Sequence, residues 1–277
     1  MRTEDRNPRS LGLDHMDTTQ IVRLMNDEER AVLDALDLAT LQLAEAADRV
    51  RDIHSDGGRI FLLGAGTSGR LAVQEAAELP PTFGVSSDSF VAFIASGPSG
   101  GPSAITHSED DVVAAAAALA AAGCGPHDGV IGLAASGTTP FVLEGMRYAR
   151  GQGSWTCGIA NNAGTPLLSI VELGILLDTG PEVVTGSTRL KAGTAQKVAL
   201  NRITTAAMVR AGKVISNLMV EVTATNDKLR DRCIRIVSEL TGSSRARSET
   251  LLRSHDWNIR AAAHAATRQA TDPDLET

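Results

Sequence analysis

The sequence predicts an α/β fold: a five-stranded parallel sheet covered by helices on both faces, with helices ahead of it and a small helical bundle behind. Three observations carry this. Short apolar runs recur at Ile60–Leu63, Phe90–Ala95, Gly129–Ala134, Trp155–Ile159 and Leu173–Leu177. Segments of helical period separate most of them, as parallel strands require, because such strands cannot be joined by a tight hairpin. Between Arg59 and Gly84 the first run meets a helical stretch through Gly64-Ala65-Gly66-Thr67-Ser68-Gly69, the grammar of a parallel strand feeding a helix.

Met1–Asp17 carries mixed charge without apolar period and reads as an extended arm, ordered by contact with the body or another subunit. Thr18 or Thr19 can cap a helix running to about Asn26. Asp27-Glu28-Glu29 then opens a longer helix with Val32, Leu33, Leu36, Leu38, Leu41, Leu43 and Ala47 near helical period, ending near Ser55. These helices read as a packing cover or an oligomer contact. Beyond the glycine-rich turn, Arg70–Leu79 is expected to be helical and to stop at Pro80-Pro81. Ser96–Thr106 is a Gly/Pro/Ser loop long enough to be functional. Glu109-Asp110-Asp111 starts an alanine-rich helix to about Ala122, its acidic residues favoured in a first turn. Helices are expected over Phe141–Gly151, from about Thr194 to Ala211, and over Asn226–Leu240, Arg247–Ser254 and Asp256–Gln269, with a short helix or turn at Pro166–Leu168. Domains are placed at 1–56, 57–215 and 216–277.

Composition narrows the class. Of 277 residues, 43% are apolar but only 3% aromatic, so the core is built from Ala, Val, Leu and Ile. A net charge of −7 argues against a general nucleic-acid or membrane-surface binder. Cys124, Cys157 and Cys233 are far apart and without metal-ligand spacing, which suits small core residues in a reducing cytoplasm. No run has the length of a membrane span, and the N-terminus is too polar for a secretory signal.

The glycine-rich turn is the leading candidate site. Gly64, Gly66 and Gly69 allow a tight turn and close backbone approach. Thr67 and Ser68 place hydroxyls at a helix start, where N–H groups lack intrahelical acceptors and an anion is favoured. The spacing Gly64-x-Gly66-x-x-Gly69 also fits a dinucleotide fingerprint, which needs a carboxylate at the end of the next strand. Phe90–Ala95 ends in Ser96-Gly97-Pro98, and Asp88 lies at its wrong end. A phosphorylated small molecule is therefore favoured over a dinucleotide or simple strand–helix packing. Ser136-Gly137-Thr138-Thr139 follows another strand in the same way, so two hydroxyl-rich turns share the carboxyl edge of the sheet. Thr185–Thr194, with Arg189 and Lys191, could cap a ligand and bring cations to it, or serve only as a solvated helix entry.

The two turns resemble those of the sugar isomerase (SIS) fold, whose members bind phosphosugars. More specifically, Thr3-Glu4-x-Arg6-Asn7-Pro8, Gly64–Leu71, Pro80–Gly84, Glu109-Asp110-Asp111, the long run Gly180–Lys197, Asn217-Leu218-Met219 and Ala224-Thr225-Asn226-x-Lys228-Leu229 resemble the N-acetylmuramic acid 6-phosphate etherases. The resemblance spans roughly residues 3–242. It implies a cytoplasmic enzyme of cell-wall amino-sugar recycling that cleaves the D-lactyl ether of its substrate without metal or organic cofactor. It implies phosphate contacts at Thr67, Ser68, Ser136, Gly137, Thr138 and Thr139, with Gly66, Glu182, Ser187 and Lys191 as further substrate-binding candidates. It also implies two catalytic glutamates, Glu78 as acid toward the lactyl oxygen and Glu109 as base at C2.

That pairing suits the chemistry. In the open-chain sugar the C2 proton is α to an aldehyde, and the C3 ether oxygen is β to the resulting carbanion, so a base and an acid are needed together. Taken alone, Glu109 could be a helix-start residue and Glu78 a solvated one; His107 could be a titrating neighbour of Glu109, but an exposed loop histidine is the expectation. Four positions depart from the family pattern: Thr138 where Arg is usual, Glu75 where Asp is usual, and Ala77 and Leu79, which turn a Ser-Glu-Cys triplet into Ala77-Glu78-Leu79. A sugar-phosphate isomerase and a non-catalytic phosphosugar sensor are the rival readings. Finally, Glu78 lies ten residues beyond Ser68. On a helix that is about 15 Å, beyond easy reach for a hexose phosphate held at the turn. The expectation is a homodimer in which Glu78 serves the neighbouring subunit's site.

Overall fold

The computed structural model describes residues 1–95, 109–222, 224 and 226–271. The chain divides into two compact units, Met1–Ala76 with Asp88–Ala207, and Ala77–Ser87 with Met208–Thr277. The larger unit holds the sheet: β1 (Ile60–Gly64), β2 (Phe90–Ile94), β3 (Gly129–Leu133), β4 (Trp155–Ala160) and β5 (Leu173–Leu176), in the order β2-β1-β3-β4-β5. Every pairing is parallel. β1, β3 and β4 are buried along their whole length, as strands covered on both faces must be. Because β1 has β2 on one side and β3 on the other, the winding reverses beside it. In open α/β sheets such a switch point opens a crevice at the carboxyl ends.

Helices cover the sheet as expected. α1 (Thr18–Glu28), α2 (Arg30–Leu38) and α3 (Thr40–Ser55) precede it. α3 buries Leu43, Ala46, Val50 and Ile53 and packs on β1 and β5, so it is a packing cover. Leu33, Leu38 and Leu41 instead stay exposed. On one side α5 (Ala114–Ala121), α6 (Pro140–Gly151) and α7 (Pro166–Ile170) join Phe61, Leu63, Val130, Phe141, Met146 and Leu167 in one core. Glycines let these layers approach. A Cβ at Gly145 would lie 2.5 Å from Leu63 Cδ1, so α6 meets β1 where a side chain has no room. α4 (Gly66–Phe83) and α8 (Lys191–Arg210) begin in this unit, and their last residues are counted with the smaller one.

The smaller unit carries a hairpin, β6 (Val214–Ile215) with β7 (Leu218–Met219), then α9 (Asp227–Thr241), α10 (Arg245–Ser254) and α11 (Ile259–Thr271). Cys233, Val237, Leu251, Leu252, Ile259 and Ala262 form its core. Asn226 and Ser244 cap α9 and α10 by accepting backbone N–H bonds. No helix among the described residues is long and apolar enough to cross a membrane.

Four local expectations are corrected. Asp17, not Thr18 or Thr19, caps the first helix, through a reciprocal bond pair with Gln20. The single helix expected to Ser55 is broken at Ala39, where the backbone leaves helical geometry. α4 does not stop before Pro80-Pro81 but runs through them to Phe83. The ring fixes φ near the helical value, so proline costs a helix chiefly a bond and a clash one turn back. Here the rings sit in the last turn, their missing bonds fall only on the Ala76 and Ala77 carbonyls, and Gly84 closes the turn by donating to the Pro80 carbonyl at 3.0 Å. The alanine-rich helix begins at Ala114, not at Glu109, because Asp111 accepts the N–H groups of Val113 and Ala114 at 2.9 and 3.0 Å.

The arm is not free. Short 3-10 turns carry it over the larger unit, and Thr3 and Asn7 are buried. Asn7 Nδ2 donates to Glu28 Oε2 at 2.7 Å, and Lys191 Nζ donates to the same oxygen at 2.6 Å. Lys191 and Glu28 are 3% and 8% exposed, so this is an enclosed ion pair. Burial alone would raise the Glu28 carboxyl, but Lys191, Asn7 and Arg9 outweigh it and hold the group below the usual glutamate range. Asp128 behaves alike: burial is outweighed by the Arg59 guanidinium and two backbone N–H bonds.

Two depressed carboxyls fix the sign of the acid response. Their stabilisation is complete above the unfolded carboxylate range and is lost as pH falls through the lower folded values. Lys191→Met removes the buried cation and leaves Glu28 only the more exposed Arg9, 3.0 Å from its other oxygen, so it should cost up to about 3–5 kcal/mol at neutral pH. The loss should shrink as pH falls through the unfolded carboxylate range, because burial favours the protonated carboxyl once Lys191 is gone. Urea denaturation above and below that range checks this; an equal loss at both contradicts it.

Candidate active site

β1 delivers the chain into α4 with almost no clearance. A Cβ at Gly64 would lie 2.6 Å from Gly69 N, and one at Gly69 would lie 2.5 Å from Ile94 Cγ1. Gly66, at φ 52°, opens the helix. Thr67 is half-buried and Ser68 buried in its first turn, where the leading N–H groups have no intrahelical acceptor.

Glu109 joins this turn to the next. Its carbonyl accepts the Phe141 N–H at 3.0 Å, at the start of α6. Its Oε1 lies 3.3 Å from where a Gly66 Cβ would stand, so the carboxylate rests against the entry of α4. Asp111 accepts the N–H groups of Val113 and Ala114 at the start of α5, and Glu109 lies outside that helix. The Ser96–Thr106 loop and His107 lie outside the described residues.

The second turn leads from β3 into α6. Gly137 has φ 68°, and a Cβ there would lie 2.2 Å from Thr165 Oγ1. Its N–H donates to Ala134 and its carbonyl accepts from Leu167 at 3.0 Å. Ser136 Oγ accepts the Thr138 N–H at 3.2 Å. Thr138 is exposed, while Ser136 and Thr139 are half-buried. Thr139 occupies the cap position of α6 without making a side-chain cap.

α8 closes a third side. A Cβ at Gly193 would stand 3.3 Å from Thr67 Cγ2. Glu182 is fully buried and accepts the Lys191 and Ala192 N–H groups at 3.1 and 3.0 Å, capping the helix. Burial pushes its carboxyl up against the opposing pull of those N–H bonds and the Lys191 charge. Lys191 turns its ammonium to Glu28, and Ser187 is half-buried in the preceding turn. Both charged candidates of the long run therefore have partners within the protein. Glu75, one of the departures from the family pattern, accepts from Asn201 Nδ2 at 2.8 Å and Thr204 Oγ1 at 2.5 Å, binding α4 to α8. Glu78 is exposed on α4, in the segment that belongs with the smaller unit.

Sequence reasoning missed three buried amides. Ser68 Oγ donates to Gln196 Oε1 at 2.7 Å, Gln196 Nε2 donates to Asn161 Oδ1 at 3.0 Å, and Asn161 Nδ2 donates to the Leu177 carbonyl at 2.8 Å. The direction of each bond is set by the next, so the Ser68 hydroxyl donates to Gln196. Asn162 makes a parallel set of bonds beside it. Only the place of Gln196 inside the Gly180–Lys197 run, and of the Asn pair at the end of a strand, could have drawn attention to them.

Comparisons with known proteins agree on the fold, and one set of relatives shows the family. The profile of the glucokinase regulatory protein N-terminal SIS domain matches residues 42–150. A Yersinia pestis (strain Pestoides F) protein named N-acetylmuramic acid 6-phosphate etherase is 46% identical over 260 residues, covering 94% of this chain and 88% of its own. A phosphoheptose isomerase from Francisella tularensis superposes with a TM-score of 0.54 at 15% identity, over 70% of this chain and 100% of its own. The Vibrio vulnificus NanR protein complexed with ManNAc-6P superposes with a TM-score of 0.52 at 15% identity, over 74% of this chain and 68% of its own.

Gln196→Leu strands the Ser68 hydroxyl and Asn161 Oδ1 together, and should lower stability by about 1–3 kcal/mol. Adding Ser68→Ala should return part of that loss, since one orphaned group is then gone. Denaturant midpoints of the single and double variants check this; a double variant weaker by the full sum of the singles contradicts it.

Proposed function

The chain belongs to the N-acetylmuramic acid 6-phosphate etherase family, and on that premise we propose that it cleaves the D-lactyl ether of N-acetylmuramic acid 6-phosphate. The products are N-acetylglucosamine 6-phosphate and D-lactate. One observation carries the reading beyond kinship. Glu109 sets its carboxylate against the first residue of α4, while its backbone is bonded to the start of α6. A carboxylate thus stands beside two hydroxyl-bearing helix entries, which supports its reading as the base toward a phosphosugar held there.

In this reading the sugar phosphate lies between the two turns. The donors are the leading N–H groups of α4 and α6 with the hydroxyls of Thr67, Ser136, Thr138 and Thr139. Ser68 joins by reorienting away from Gln196. Grip on the phosphate supplies binding energy at a distance from the bond that breaks. Glu109 takes the C2 proton from the open-chain aldehyde and leaves an enolate. The C3–O bond then breaks with protonation of the departing lactyl oxygen, and water adds to C3 of the unsaturated aldehyde. Glu182 and Lys191 act one step back, holding the start of α8 against Thr67.

Glu78 is the acid, supplied by the second copy in a homodimer, because it lies far along α4 from the turn of its own chain. The NanR complex with ManNAc-6P gives the fold a precedent for an amino-sugar phosphate ligand. An aldose–ketose isomerase would need no acid aimed at an ether, and a sensor would need neither carboxylate.

Glu109→Gln tests the reading. D-lactate release should fall by about 10²–10⁴-fold, while N-acetylglucosamine 6-phosphate binds with little change in calorimetry. Release within a few-fold of the unaltered chain contradicts the base assignment. The subunit arrangement has its own test. Glu78→Ala chains mixed with Gly137→Ala chains should regain activity that neither has alone, and silence despite proven mixing rules out sharing.

A further inference from the structure

The arm that begins the sequence reaches the carboxyl edge of the sheet, and its contacts there are specific. Thr3 is fully buried. Its N–H donates to Asn162 Oδ1 at 3.2 Å, and its Oγ1 accepts from Asn162 Nδ2 at 2.9 Å. The other Nδ2 proton goes to the Ala135 carbonyl at 2.9 Å. Ala135 immediately precedes Ser136, the first residue of the second hydroxyl turn. Asn162 thus spends both amide protons and its oxygen between the arm and that turn. The Thr3 carbonyl accepts the Gly186 N–H at 3.2 Å, which brings the loop ahead of α8 into the same arrangement. Outside this knot, Arg2 Nη1 pairs with Asp178 at 2.5 Å, and Asn7 reaches Glu28, the partner of Lys191.

We propose that the N-terminal arm is a positioning element of the active site: Thr3, through Asn162, sets the conformation of the Ser136–Thr139 turn and so its grip on the substrate's phosphate. This rests on the proposed role of that turn. Thr3 touches no reacting atom; it fixes which way the Asn162 amide faces. With the Thr3 N–H and Oγ1 in place, Oδ1 must turn to the arm and one proton must turn to Ala135. Without Oγ1 the amide has a buried proton with no acceptor, and the reversed amide would set an oxygen against the Ala135 carbonyl. A single methyl-for-hydroxyl change in the arm should therefore be felt at a turn 133 residues later in the sequence, counting from Thr3 to Ser136. Arg2, more exposed, holds the arm's end, and its loss should act in the same direction but more weakly.

The test compares the unaltered chain, Thr3→Val, Thr3→Ser and Arg2→Ala. Competition by inorganic phosphate against lactate release is measured together with KM and kcat. Amide exchange at residues 135–139 is followed with and without phosphate. Thr3→Val should raise KM and the phosphate inhibition constant together, by roughly two- to tenfold, with kcat changed less. Exchange at 135–139 should quicken, and Thr3→Ser should restore all three. Arg2→Ala, which removes only a surface anchor, should show a smaller shift of the same kind even if Thr3→Val does not fold. Unchanged phosphate inhibition in every variant that folds, with only thermal stability lowered, overturns the inference and leaves the turn's role standing. Failure of phosphate to inhibit the unaltered chain overturns the turn's role and this inference with it.

Discussion

The carboxylate of Glu109 can rest against the start of α4 because β1 and α4 meet without side chains between them. Gly64 and Gly69 lie so close that a methyl group on either would strike backbone or Ile94. Gly66 then turns through positive φ, a region other residues enter only at a cost. This contact brings the helix entry down to the strand ends, beside the switch point between β1 and β3, and the rest of the site is built outward from it. α6 enters next to it, and α8 lays Gly193 on Thr67. Three helices thus begin around one space, and the favourable field for an anion there is a property of backbone rather than of lysine or arginine.

Buried amides hold that geometry. Asn161 and Asn162 stand at the end of β4 and face opposite duties, one toward Gln196 and Ser68, the other toward Ala135 and the arm. Each is almost wholly enclosed, where an unmade hydrogen bond is costly and a complete network permits one arrangement. Cations are placed differently. Lys191, which the sequence offers as an anion ligand, is folded inward onto Glu28. Its charge secures the arm and the first turn of α8 through a structural ion pair.

How much could be read beforehand follows from the range of each interaction. The five strands, the glycine-rich turn and the second hydroxyl turn were legible, because apolar runs and turn residues are local signals. The SIS-type sheet and the etherase kinship were legible in contiguous runs such as Gly180–Lys197. The break at Ala39 carries no Gly or Pro, and so left no mark. Pro80-Pro81 gave a strong stop signal that the last turn of α4 tolerates, and the β6–β7 hairpin passed unnoticed because its turn holds Ser216, at positive φ, in place of glycine. Asp111 competed with Glu109 for the helix start, and only the folded geometry shows which of them caps. The Thr3–Asn162 and Glu28–Lys191 contacts join residues 159 and 163 positions apart, beyond what any local pattern encodes.

The account comes down to whether a carboxylate beside the α4 entry opens an ether by way of C2. Turnover of N-acetylmuramic acid 6-phosphate in ¹⁸O-enriched heavy water, with mass spectrometry and NMR of both products, addresses this directly. The sugar product should carry deuterium at C2 and ¹⁸O on C3, and the lactate should keep its original hydroxyl oxygen unlabelled. Label in the lactate hydroxyl with none at C3, or a C2 position that retains its original hydrogen, would contradict the account.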